Sequence, residues 1–207
     1  MNLELRIMNY KLNKKIFLIP DSNFSIRGFT LVELMISMAI FLIITSIVVA
    51  NFRQGSQRDD LQQSALLMAS LLQQAQTYAL AGRVTTDSSQ VSRVPTGGYG
   101  IYLNTTDKDK ILFFPDFNGN GLYDSSTETL ADWQYSLSKD VELQSLTVSG
   151  EVSSPVAFTL RPPQGTRYIN GLINGGVLEV ILRHAKSLQQ YKVTANAISG
   201  QVNTVKL

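Results

Sequence analysis

Between Gly28 and Asn51 the chain reads FTLVELMISMAIFLIITSIVVA, twenty-two residues with one charge among them, Glu33. As a helix rising ~1.5 Å per residue it reaches roughly 33 Å, close to the hydrocarbon thickness of a bilayer. The run therefore predicts a membrane-spanning helix, and the rest of the chain must fold apart from it. Residues 1–28 carry Arg6, Lys11, Lys14, Lys15 and Arg27 against Glu4 and Asp21. This basic flank places the N-terminus on the cytoplasmic side and everything after Asn51 outside. A secretory signal peptide would have a shorter apolar core and small residues at its cut. No clear A-x-A site follows Ala50, so the helix is expected to stay on the protein. The patch Ile16–Ile19, ended by Pro20, is too short to span and is compatible with a native start later than Met1.

Outside the leader the charge is nearly balanced, with 13 basic and 14 acidic residues in 29–207. The body gives no basic stripe for nucleic acid. The chain has no cysteine, which excludes disulfide staples, cysteine-ligated zinc and thiol catalysis.

The helix is predicted to continue outward. Leu61, Ala65, Met68, Leu72, Ala75 and Ala79 follow a four-three spacing that lays one apolar seam along a helix, with Gln62, Gln63, Ser64, Gln73, Gln74, Gln76 and Thr77 around it. The seam is too short for a coiled coil and is expected to pack on a sheet. Gly82 suits the left-handed residue after a helix end, so one helix runs from Phe29 to about Ala81, with Gly55-Ser56 as its weak point. Residues 83–98 are polar, contain Pro and Gly, and read as a loop. Eight β-rich segments follow: Tyr99–Leu103, Ile111–Phe114, Trp133–Leu137, Val141–Val148, Val156–Arg161, Val177–Arg183, Gln190–Ala197 and Gln201–Val205. Turn-rich pieces separate them, which is an antiparallel pattern. The expected fold class is α+β, a long N-terminal helix whose outer half packs on two small antiparallel sheets. The expected divisions are a leader 1–28, a membrane helix 29–51, its amphipathic continuation 52–82 and a β-rich extracytoplasmic domain 83–207.

The abrupt start of the run has a known counterpart. Arg27-Gly28-Phe29-Thr30-Leu31-Val32-Glu33 resembles the processing site of type IV prepilins and type II secretion pseudopilins. The resemblance implies cleavage by a prepilin peptidase between Gly28 and Phe29, N-methylation of Phe29, and retention of the helix. It also implies that Glu33 meets the Phe29 amine of a neighbouring subunit in a filament. A charge in the apolar region costs at least ~2.5 kcal/mol and usually faces a partner. Phe29 and Glu33, four apart, can also pair within one chain, and a carboxylate reaching the cytoplasmic headgroups is the plainer alternative. The order of elements is similar to the GspH/FimT branch. There PVAFTLRPPQGT resembles an F-x-x-x-G region, and YKVTANAISGQV resembles a closing strand-turn-strand with Gly200 at the turn. Many pilins carry a Pro inside the membrane helix, whereas this chain has none between Gly28 and Pro95. The resemblance implies a pilin-like fold and a non-enzymatic minor pseudopilin or minor pilin of the inner membrane. Its partners would be the peptidase, other pilins or pseudopilins and an inner-membrane assembly platform. Alternatives are a major pilin, a DNA-binding minor pilin of competence systems, and a membrane-tethered binding domain that never polymerises.

No catalytic constellation competes with this reading. His184, the one histidine, is expected at an exposed hairpin end, and no G-x-S-x-G, P-loop or G-x-G-x-x-G is present. Asp107-Lys108-Asp109-Lys110 reads as a solvated turn. Arg161 and Arg167 could touch phosphate or a partner, and Trp133 and Tyr135 read as core. The segment DFNGNGLYD carries the other signal. Asp116, Asn118, Asn120 and Asp124 occupy positions 1, 3, 5 and 9 of a calcium loop, with Gly121 sixth and the Leu122 carbonyl seventh. Thr127 stands where the bidentate Glu belongs, and Glu128 lies one residue beyond. The residues admit weak calcium binding, or an Asn/Gly hairpin whose side chains bond their own backbone.

Overall fold

A computed structural model describes residues 28–207 except 88, 164, 174 and 175. Residues 1–27, the leader up to and including Arg27, lie outside the described residues. The chain divides into two compact units between Thr45 and Ser46.

Helix α1 (Leu31–Leu80) crosses this division and runs without a break through Gly55-Ser56. In the first unit its large apolar side chains are all exposed, from Leu31 to Ile44. In the second unit the predicted seam is buried in full, and Ser64 and Leu71 join it. Each large side chain so buried contributes about 1.5–3 kcal/mol. The Ser64 hydroxyl donates to the Asp60 carbonyl (2.9 Å) and accepts the Ser138 amide (3.0 Å), tying the helix to the chain ahead of the sheet. The helix ends where Gly82 takes φ +57°. Gly82 N–H bonds the Ala79 carbonyl (3.3 Å) and Arg83 N–H that of Tyr78 (3.1 Å). These two bonds satisfy carbonyls that the last turn would leave unpaired.

After the helix, β1 (Thr85–Thr86) and β2 (Ser92–Arg93) form a small hairpin inside the stretch expected to be loop. Asp87 organises it, its carboxylate accepting the Ser89 and Val91 amides and pairing with Arg93 at 3.1 Å. Then come β3 (Gly98–Leu103), β4 (Lys110–Asp116), β5 (Gln134–Ser136), β6 (Val141–Val148) and β7 (Glu151–Val152). The rest are β8 (Val156–Arg161), β9 (Thr166–Ile169), β10 (Leu172–Ile173), β11 (Val177–His184), β12 (Gln190–Asn196) and β13 (Val202–Lys206). All eight predicted strands are present. The expected antiparallel α+β architecture holds, with one sheet ordered β10-β9-β8-β3-β4-β5 and the other β13-β12-β11-β6-β7.

One core serves both sheets and the helix. Leu61, Met68 and Leu72 of α1 share it with Tyr99, Ile101 and Phe158 of the first sheet, and with Leu143, Leu178 and Val193 of the second. The two sheets differ on their outer faces. Strand β11 alternates buried and half-buried residues along its length, as a one-sided strand should. Strand β8 is buried at every position but the last. The long connection from β4 to β5 lies against neighbouring strands of the same sheet, β3 and β4. Its Tyr123 ring lies 4.7 Å from Tyr102 and 5.2 Å from Phe114. Trp133 and Tyr135 pack against the core as expected, although Trp133 ends a short 3₁₀ turn (Ala131–Trp133) just before the strand.

Candidate functional site

Gly28, Phe29 and Thr30 lie ahead of the helix, outside any helix or strand, all exposed. Phe29 is 84% exposed, and nothing lies within 4 Å of where a Gly28 side chain would begin. The Gly28–Phe29 peptide bond is therefore sterically open on its described side. Thr30 is the helix N-cap. Its carbonyl takes the first helical bond, from the Leu34 amide (3.1 Å). Its hydroxyl accepts the Glu33 amide (3.2 Å), and the Glu33 carboxylate accepts the Thr30 amide and hydroxyl (both 3.0 Å). This reciprocal capping box satisfies amides that an apolar helix start would leave unpaired. So in the uncut chain Glu33 has a local partner, Thr30. In the uncut chain Phe29 offers a peptide N–H and no charge. The signal was in the sequence as T-x-x-E before an apolar run.

The helix that follows is the one among the described residues long and apolar enough to cross a membrane. Its polar atoms are served from within: the Thr45 hydroxyl donates to the Phe41 carbonyl at 2.7 Å. A side chain satisfied this way does not need water.

The Asp116 loop brings its predicted residues together, in the arrangement of the self-bonded alternative. Asp116 is fully buried. Its Oδ1 accepts the Gly119 amide (2.6 Å) and its Oδ2 the Gly121 amide (2.8 Å). Glu128, also fully buried, spans the loop, accepting Phe117 N–H and Asp124 N–H at 2.9 Å each. Asn118 and Asn120 turn their amide nitrogens to Asp124 Oδ2, at 2.6 and 2.9 Å. Their oxygens accept the Asn120 and Leu122 amides. Gly121 makes the turn at φ +73°, where a Cβ would meet the Gly171 backbone at 2.9 Å. The two Asn side chains thus present donors toward Asp124, not oxygens toward a shared centre. Among the described residues no group of three or more His, Asp or Glu side chains forms a metal cage. The set as built does not fit calcium, and the tight hairpin was also wrong in extent, since residues 117–133 separate the two paired strands. Burial pushes the Glu128 carboxyl up to about 7, despite the two amides that oppose it. Burial raises Asp116 as well, against its amide bonds and Arg161.

Three other residues stand differently from expectation. His184 is buried, not exposed. It ends β11 on the inward register, and its Nδ1 accepts the Lys186 (3.3 Å) and Ser187 (3.2 Å) amides of the turn. Arg161 is engaged internally, donating to the Tyr168 hydroxyl (2.9 Å) and the Gly119 carbonyl. Arg167 donates to the carbonyls of Ala197 and Ile198. Nothing in the sequence marks the carbonyl partners of the two arginines, which lie in loops 30 to 42 residues away.

Residues 23–49 match the family model described as the prokaryotic N-terminal methylation motif. The match covers the helix start and its approach and leaves the sheets unmatched. It points to a type IV pilin-like or pseudopilin subunit, with processing by a prepilin peptidase, assembly with other pilins and anchoring in the inner membrane. No curated protein and no solved structure matches the chain.

Proposed function

We propose that the chain is a minor pseudopilin or minor pilin, a non-enzymatic subunit of the GspH/FimT kind. It is stored in the inner membrane by residues 29–51, with residues 83–207 outside, and is then drawn into a filament through an assembly platform. The observation that carries this reading is the unlike burial along α1. One stretch of the helix completes a core, and the stretch before it has every large apolar side chain exposed, as a surrounding of lipid or neighbouring helices requires. Cutting between Gly28 and Phe29 turns the Phe29 amide nitrogen into a charged amine. Glu33 then has two claimants, the Thr30 cap it holds already and an amine, its own or a neighbour's. The cap keeps the carboxylate satisfied in the waiting monomer, and the neighbour's amine sets register in the filament, where an unpaired buried charge is costly.

Mass spectrometry of the protein from a host with the peptidase tests the processing step. The expected terminus is methylated Phe29; an intact Met1 terminus or a cut after Ala50 would overturn it. Glu33→Ala tests assembly. Membrane insertion should persist while the sheared filament fraction loses the variant. Normal incorporation would instead favour a tether that does not polymerise.

A further inference from the structure

Just beyond the apolar run, the second unit carries a polar pocket of about 500 Å³ that the reading above does not use. One wall is helical, with Phe52, Arg53 and Ser56. The opposite wall comes from the turns around Lys139 and Lys186, with buried His184 at its back. Its charges are unevenly committed. Lys186 Nζ lies 2.6 Å from Asp140 and holds that carboxyl below the usual range. Arg53 and Lys139 form no salt bridge among the described residues, and Asp60 is the one other acid in the lining. His184 lines the pocket too, and because its Nδ1 accepts two backbone amides, Nε2 is the ring nitrogen able to donate.

Guanidinium, ammonium, hydroxyl and imidazole N–H are all donors, and together they suit a phosphate oxyanion. Phe52, 77% exposed, stands beside Arg53. An aromatic ring next to a cation is the usual composition of the headgroup layer. Along the helix Arg53 is three residues past Ala50, about 4–5 Å of rise. We propose that this pocket binds the phosphate of an anionic phospholipid headgroup. This rests on the membrane reading above, because only then does a headgroup lie within reach. The bound headgroup would bridge Arg53 on the helix to Lys139 in the turn before β6.

The chain has a single histidine, so its ring signal in a magnetic resonance spectrum needs no assignment. Full-length protein is placed in nanodiscs of phosphatidylcholine, with and without phosphatidylglycerol, and in the zwitterionic discs with inorganic phosphate. The His184 ring resonance is expected to shift with phosphatidylglycerol and much less with inorganic phosphate. Lys139→Glu, at an exposed side chain outside the core, should lose most of that shift and still enter the discs. An equal shift with inorganic phosphate would overturn the lipid assignment in favour of a general anion site. A shift unchanged in Lys139→Glu would reveal only the surface charge of the disc and would overturn the pocket. A chain that enters zwitterionic discs yet shows no shift defeats this proposal alone; one that enters no disc defeats the membrane reading too.

Discussion

The two stretches of α1 are built from one helix and obey opposite rules. From Leu31 to Ile44 large apolar residues occur on all sides, and none is buried. From Leu61 to Ala79 the buried apolar residues form one seam, glutamines and other polar residues fill most of the rest, and Leu66 is the one large aliphatic left exposed. An all-round apolar helix needs a surrounding that is apolar all round, whereas an amphipathic one needs a single apolar neighbour. The difference teaches that length and secondary structure alone do not assign a role to a helix. The periodicity of the apolar residues does.

The contrast is most exposed to failure in the core. Met68→Ala should cost about 2–5 kcal/mol of the stability of the sheet-bearing unit. Ile40→Ala, of similar volume loss, should leave that stability within about 0.5 kcal/mol, as surface changes do. Urea titration of the full chain in detergent, followed by Trp133 fluorescence, measures both. A comparable loss in Ile40→Ala would mean that the first stretch supports the core and would break the contrast.

A smaller effect sharpens it through pH. Glu33 sits at the exposed start of the helix, while Glu128 is buried in the loop that lies against the first sheet. A carboxyl raised from 4.5 to about 7 on folding contributes stability below the unfolded value, and that contribution is lost as pH rises through the folded one. At about 1.4 kcal/mol per unit the loss is at most about 3 kcal/mol. Stability should therefore fall between about pH 4.5 and 7, with Asp116 acting in the same sense. Glu128→Gln should flatten the slope, measured by thermal melting in chelator. A slope unchanged in that variant would move its cause elsewhere. Added calcium should leave the melting curve where it is, because the loop oxygens already accept the loop's own amides. A calcium-dependent rise that vanishes in Asp116→Ala would restore the ion.

The finest test uses two glycines of the same helix region. Gly82 lies at φ +57° with open space around it, so Gly82→Ala meets only backbone strain, about 1 kcal/mol of destabilisation. Gly55 is helical and equally open, and Gly55→Ala should stabilise by roughly 0.5–1 kcal/mol. Opposite signs in the two melting temperatures are expected. The same sign would mean that the helix does not end where the Gly82 bonds place its end.

Much of this architecture could be read from residue order. The four-three seam located the buried face, the alternating apolar residues located eight strands, and Gly82 located the helix end. The unread parts share a cause. Strands β1, β2, β7 and β10 have two residues each and β9 has four, too few to show a period. His184 looked like a turn residue because its neighbours Arg183, Ala185 and Lys186 are polar or small; its burial follows from strand register, which spacing does not display. Glu128 missed the calcium position by one residue and was underweighted for that reason. Its role is to hold two amides 11 and 4 residues away, a contact that only the folded loop reveals. Thr30 is legible as a helix cap from T-x-x-E ahead of an apolar run.

That one core is shared by the helix and both sheets has a consequence for how the protein is made. Leu61 leaves the ribosome early, and its partner Val193 is nearly the last core residue to appear. The separation is roughly 130 residues, so at about 5–20 residues per second the seam waits on the order of ten seconds for its final neighbours. Through that interval the outer stretch is an amphipathic helix with its apolar stripe uncovered. Its small residues Ala65, Ala75 and Ala79 keep that stripe narrow, and the glutamines beside it keep it wet. Leucines at those three fully buried positions would overpack the finished core and widen the apolar stripe during synthesis.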